Sequence, residues 1–99
     1  MSLPFCGPGN TPLHYAVAGG FYFIVDLFVQ NGANVSIKGA GGCPPLTFAA
    51  LRGLTYIGKY LLGNGAEIEQ RAAREETALM WASKRGHLPM VKFLLDKVG

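Results

Sequence analysis

Charge is scarce in this sequence. Asp, Glu, Lys and Arg make up 15% of its 99 residues, where a freestanding globular domain carries nearer a quarter. The deficit suggests that some apolar surface belongs against something else. Nine basic and six acidic residues leave a net charge of +3. The basic residues form no run of five or six, so Arg52, Arg71, Arg74, Lys84 and Arg85 do not amount to a nucleic-acid footprint. A mild preference for acidic partners is what the balance supports. Cysteine is nearly missing too. Cys6 and Cys43 are the two present, without a CxxC pair or metal-ligand spacing, which argues against a disulfide-stapled secreted scaffold and a metal site. The start, Met1-Ser2-Leu3-Pro4, lacks the basic and apolar regions of a signal peptide, so an intracellular location, cytoplasmic or nuclear, is expected. Long hydrophobic runs are absent as well. The greasiest stretch, Phe21 to Val29, is broken by Asp26 and falls far short of the roughly 20 residues that cross a bilayer.

What the chain does have is apolar residues, 49% of the total, and a repeat. The composition is that of a folding chain, and the length suits one small domain spanning residues 1–99. Thr11-Pro12-Leu13-His14-Tyr15-Ala16, Pro44-Pro45-Leu46-Thr47-Phe48-Ala49 and Thr77-Ala78-Leu79-Met80-Trp81-Ala82 begin at positions 11, 44 and 77, a constant 33-residue interval. Gly20, Gly53 and Gly86 keep that interval, as do Ile24, Ile57 and Met90, and then Phe28, Leu61 and Leu94. Gly32-Ala33 returns as Gly65-Ala66. Landmarks in phase at this period mark stacked supersecondary units. They divide the chain at about 9–41, 42–74 and 75–99, the last truncated.

Each unit reads locally as two helices. Pro12 and Pro45 suit a first helical turn, where the missing N–H has no intrahelical partner anyway. Thr11 and Thr77 are N-cap residues. Leu13, Ala16 and Val17 fall at i, i+3 and i+4, one face of a short helix that Gly20 ends. Ile24, Leu27 and Phe28 form a second apolar face, closed at Gly32 in a left-handed conformation. Asn34 to Cys43, rich in glycine, suits an extended hairpin-like connector.

From about Gly9 to Leu95 this pattern resembles the ankyrin repeat, with its T-P-L-H-x-A opening, central glycine, apolar helix and G-A close. The first unit matches best, through Thr11-Pro12-Leu13-His14 and Gly32-Ala33-Asn34. Later units depart: Pro44 replaces the threonine, Thr47 and Met80 the histidine, and Ala78 the proline. The family's Thr and His tie the turn to the neighbouring hairpin, so these losses are expected to weaken the units locally. The resemblance implies an all-α solenoid of stacked antiparallel helix pairs, with hairpin-like loops along one edge and a concave surface. It implies a protein-binding module with no catalysis and no cofactor. Carried over by register, the contact positions are Asn10, Ala18 and Gly19, then Ala40, Gly41, Cys43, Leu51 and Arg52. In the third unit they are Ala73, Arg74, Glu76, Lys84 and Arg85, beside Trp81. A partner with an apolar centre and an acidic flank would complement this set. Lys59 and Lys92 belong to the second helices, towards the outer face.

Other features carry less. His14 and His87 are read as the hydrogen-bonding histidines of their units, since no nucleophile or acid partner is suggested for either. Gly39-Ala40-Gly41-Gly42 leads into Cys43-Pro44-Pro45 and not the Gly-Lys-Ser or Gly-Lys-Thr of a phosphate loop, so it is a hairpin tip. The cysteines are expected as free thiols, with Cys43 among the exposed loop positions. Glu67, Glu69, Glu75 and Glu76 read as solubilising loop charges. Tyr15, Phe48 and Trp81 share one position in the three first helices. They either pack between units or turn their edges to a partner, and both readings stand.

Terminal units of a solenoid need a polar outer face, yet Phe21-Tyr22-Phe23 opens the second helix of the first unit. An excerpt of a longer array or multidomain protein is therefore expected, with self-association possible through its ends. The rival to a partner-holding module is a structural or regulatory segment that positions another domain of a larger enzyme or channel.

Overall fold

The computed structural model describes residues 9–72 and 76–98. It places three helix pairs there: α1 (Pro12–Gly19) with α2 (Tyr22–Gln30), α3 (Pro45–Arg52) with α4 (Thr55–Gly63), and α5 (Ala78–Arg85) with α6 (Leu88–Val98). No strand occurs among the described residues. The connectors are nonetheless hairpin-like. Gly39 N–H donates to the Cys43 carbonyl at 2.8 Å, and at the equivalent place in the next connector Ala72 N–H donates to the Glu76 carbonyl at 3.0 Å.

Local chemistry sets the helix ends. The Thr11 hydroxyl accepts from His14 N–H while His14 Nδ1 accepts from Thr11 N–H at 3.0 Å, a reciprocal cap. The Thr77 hydroxyl accepts from Met80 N–H at 3.4 Å. Pro44 occupies the same place before α3 and makes no side-chain cap. The first helix of each pair stops at Gly20, Gly53 and Gly86, whose φ values of 77°, 70° and 72° are left-handed. A residue with a Cβ is strained in that conformation, so glycine is required where the chain reverses into the next helix.

The helices form two layers. In the inner layer α3 packs between α1 and α5, and seven of its eight residues are buried, all but Arg52. In the outer layer α4 sits between α2 and α6. The repeat register shows how units join. Ile57 and Met90 are 3% and 0% exposed because the preceding unit covers them, whereas the equivalent Ile24 is 45% exposed. On the opposite side of the outer helices, Val25 and Gly58 are buried beneath the following unit, and Val91 is half-buried. Buried apolar side chains of this size each contribute about 1.5–3 kcal/mol, so the junctions between units, not the isolated helices, hold the fold.

Hydrogen bonds join neighbouring units as well. Gln70 Nε2 donates to the Ser36 carbonyl at 2.9 Å and His87 Nε2 donates to the Leu51 carbonyl at 2.8 Å, while within the first unit Asn10 Oδ1 accepts from Ala40 N–H at 2.9 Å. The Tyr60 hydroxyl on α4 donates to Asp26 Oδ1 on α2 at 2.5 Å. Because the carboxylate accepts the phenolic proton, it raises the Tyr60 pKa above the usual tyrosine value.

Candidate functional site

The register-derived positions lie on the inner helices and the connector tips. The connector tip between the first two units is tied down by a side-chain hydrogen bond and by glycine backbone geometry. Asn10 is half-buried and holds Ala40 through its amide oxygen; Gly41, at φ 66°, is exposed at the tip of a short 3-10 turn (Ala40–Gly42). A Cβ at Gly39 would fall 2.3 Å from Asn10 Oδ1 and 2.8 Å from His14 Nε2. That glycine lets the connector close onto His14.

Two of the expected contact residues are not available there. Cys43 is buried in the core, not exposed on the loop, and burial raises its thiol pKa, assisted by the Glu76 charge. A buried, protonated thiol is a packing group and a poor nucleophile. Leu51 is buried too, because α3 is flanked on both sides by inner helices. Its equivalents Ala18 and Lys84 are half-buried and exposed respectively. Burial at one register position thus differs from unit to unit. Arg52 next to it is exposed, and its guanidinium donates to the Ala18 carbonyl at 2.6 Å, so it already bridges to the first unit.

The third unit concentrates the polar chemistry. The Lys84 ammonium pairs with the Glu76 carboxylate and lies 4.8 Å from the centre of the Trp81 ring. Arg85 follows it, exposed. Arg74 and Ala73 lie outside the described residues, as do Cys6 and Glu75. Glu67 and Glu69 are exposed. Of the aromatic series, Phe48 is buried and packs against His14 with ring centres 5.2 Å apart, Trp81 is half-buried, and Tyr15 is about half exposed. Packing accounts for Phe48, while Tyr15 and Trp81 retain surface on the inner layer.

Register reading alone did not single out the outer layer at the second unit. Tyr56 is 81% exposed there and Phe23, its equivalent in the first unit, 83%. Their shared register position was the available signal. Among the described residues no cluster of His, Cys, Asp and Glu could hold a metal ion, and no helix is long and apolar enough to cross a membrane.

The hydrogen-bonded Thr-Pro-Leu-His opening, the left-handed glycines and the repeating junctions agree with a comparison against known proteins. Nothing among curated proteins matches the chain at a significant level. A family model described as ankyrin repeats in three copies matches residues 3–72 and 49–99. Those two spans leave almost no residue uncovered, and the chain belongs to the ankyrin repeat family.

Proposed function

We propose that this chain holds a protein partner on its inner helices and connector tips, with the third unit supplying the anchoring group. Ankyrin repeats are in general protein–protein interaction modules, which supports the class of function. The observation that carries the finer reading is the Trp81–Lys84–Glu76 arrangement beside exposed Arg85. An aromatic edge with cations held next to it is the type of group enriched at binding hot spots. Arg52 extends the basic flank towards the second unit, and Arg74 is included on register alone. Tyr15, Ala40 and Gly41 offer an uncharged area at the other end. A partner with an apolar centre and acidic flank fits this division.

The test is mutational, on a partner captured with the intact chain. Arg85→Ala should weaken retention about tenfold or more with an unchanged melting temperature, and Lys92→Ala on the outer layer should do neither. Retention that survives Arg85→Ala and Lys84→Ala but is lost in Lys92→Ala would overturn the assignment.

A structural role inside a longer array is the second reading, favoured by the exposure of Ile24 and Leu27 on the outer helix of the first unit. Ile24 carries the register position that Ile57 buries against a preceding unit. On this reading, adding flanking sequence from the full-length gene raises the melting temperature and suppresses self-association. No change in either measurement contradicts it.

A further inference from the structure

On the outer layer, a groove of about 520 Å³ runs between α4 and α6. Leu62, Ala66, Ile68 and Phe93 form its apolar floor, and Lys59 and Lys97 stand at its sides. The Lys59 ammonium lies 5.5 Å from the centre of the Phe93 ring and the Lys97 ammonium 5.9 Å from it, so both charges are gathered around one aromatic side chain. Lys59 is also 5.8 Å from the Tyr56 ring. Among the described residues neither ammonium has a carboxylate within ion-pair distance. Glu67 and Glu69, on either side of Ile68, are exposed and reach neither lysine, and nor does Asp96 beside Lys97.

A ring quadrupole attracts an ammonium and restrains it without neutralising its charge. Two such lysines are therefore partly ordered, and they lose less side-chain freedom on meeting a carboxylate than free lysines would. An acidic group entering the groove is attracted by both charges. The floor then decides what kind of anion fits. Four apolar side chains add nothing to the binding of an inorganic anion, but they cover the apolar neighbours of an acidic side chain.

We propose that this α4–α6 groove is a second docking surface, taking a peptide segment in which acidic residues flank aromatic or branched apolar ones. The carboxylates meet Lys59 and Lys97, and the apolar side chain lies on Phe93, Leu62 and Ile68. This chain has such a run itself, Glu67-Ile68-Glu69, but Ile68 is part of the floor, so the run cannot leave to occupy another copy. The groove is on the outer helices, apart from the inner-face site proposed above.

A fluorescein-labelled peptide with a Glu-Leu-Glu-Phe-Glu core is the probe, titrated into the intact chain by fluorescence polarisation and by amide chemical-shift mapping. Saturable binding is expected, with shifts at Lys59, Leu62, Ile68, Phe93 and Lys97. Lys59→Glu combined with Lys97→Glu should weaken it about tenfold or more, since each replaces attraction by repulsion. Both sites are exposed, and an unchanged circular dichroism melt establishes that the variant is folded. Lys84→Ala with Arg85→Ala should leave peptide binding unchanged, whatever it does to an inner-face partner. The proposal is overturned if the charge-reversed variant binds equally, if oligo-glutamate binds as well as the probe, if inorganic phosphate competes, or if the shifts map to the inner helices.

Discussion

His14 Nε2 donates a hydrogen bond to the carbonyl of Cys43 at 3.0 Å, joining the first inner helix to the connector that leads into the second. At the other ring nitrogen, Nδ1 accepts from Thr11 N–H at 3.0 Å, which assigns the neutral Nε2–H tautomer. The ring is fully buried, and desolvation lowers its pKa below the ordinary histidine value of 6.5. Protonating Nδ1 would also turn a donor against the Thr11 donor.

This arrangement makes stability pH-dependent in one direction. Below about pH 6.5 the unfolded chain takes up a proton on His14 that the folded chain resists. The stabilisation is complete above that pH and is lost as pH falls towards the lower folded-state value. Thermal melts from pH 8 to pH 5 should show a plateau and then a decline. His14→Gln should lower the plateau, by about 1–3 kcal/mol if the Cys43 carbonyl is left unpaired, and flatten the decline. An equally steep decline in that variant would assign the effect elsewhere.

Thr47 stands where the first unit has His14. It is fully buried, and its hydroxyl has no hydrogen-bond partner among the described residues. Leaving such a group unpaired costs about 1–3 kcal/mol. Thr47→Val keeps the shape and removes the hydroxyl, so it should raise the urea midpoint, by about 1 kcal/mol in stability. Thr47→Ser, which keeps the hydroxyl and loses a methyl group, should lower it.

Gly58 lies within α4, where the other units carry Val25 and Val91. A Cβ there would be 3.1 Å from Met90 Cε, the end of a flexible side chain, and 3.8 Å from Leu46 Cδ1. A shift of a few tenths of an ångström accommodates it. Helix propensity favours alanine over glycine by roughly 1 kcal/mol, so Gly58→Ala should stabilise by somewhat less than that. Gly58→Leu overpacks the junction with Met90 and should destabilise. Denaturant titrations of both variants decide it.

Ile24 and Ile57 test whether unit junctions dominate. Ile57→Ala should cost about 2–5 kcal/mol, as expected for a fully buried isoleucine. Ile24→Ala, at the same register position, should cost roughly 1 kcal/mol or less, because its side chain is already about half exposed. Similar costs at the two sites would mean that something covers Ile24 in solution.

Most of the backbone was legible in the residues themselves. Threonine and proline at helix starts and glycine at left-handed stops act within a few positions of each other, and apolar residues recurring every 33 residues mark the units. Local sterics and hydrogen bonding therefore suffice to place the helices and their pairing. The role of His14 followed from the same motif. Burial did not follow, because it depends on which unit lies on each side. Ile24 and Ile57 share a register position but not an environment. Cys43 and Leu51 sit at positions that read as contact surface, yet the packing of α3 and its connector between neighbours takes both out of solvent. The convergence of Lys59 and Lys97 on Phe93 joins two outer helices that belong to different units. Periodicity specifies which faces meet; the stacked structure alone decides which charges and rings are left uncovered once they have met.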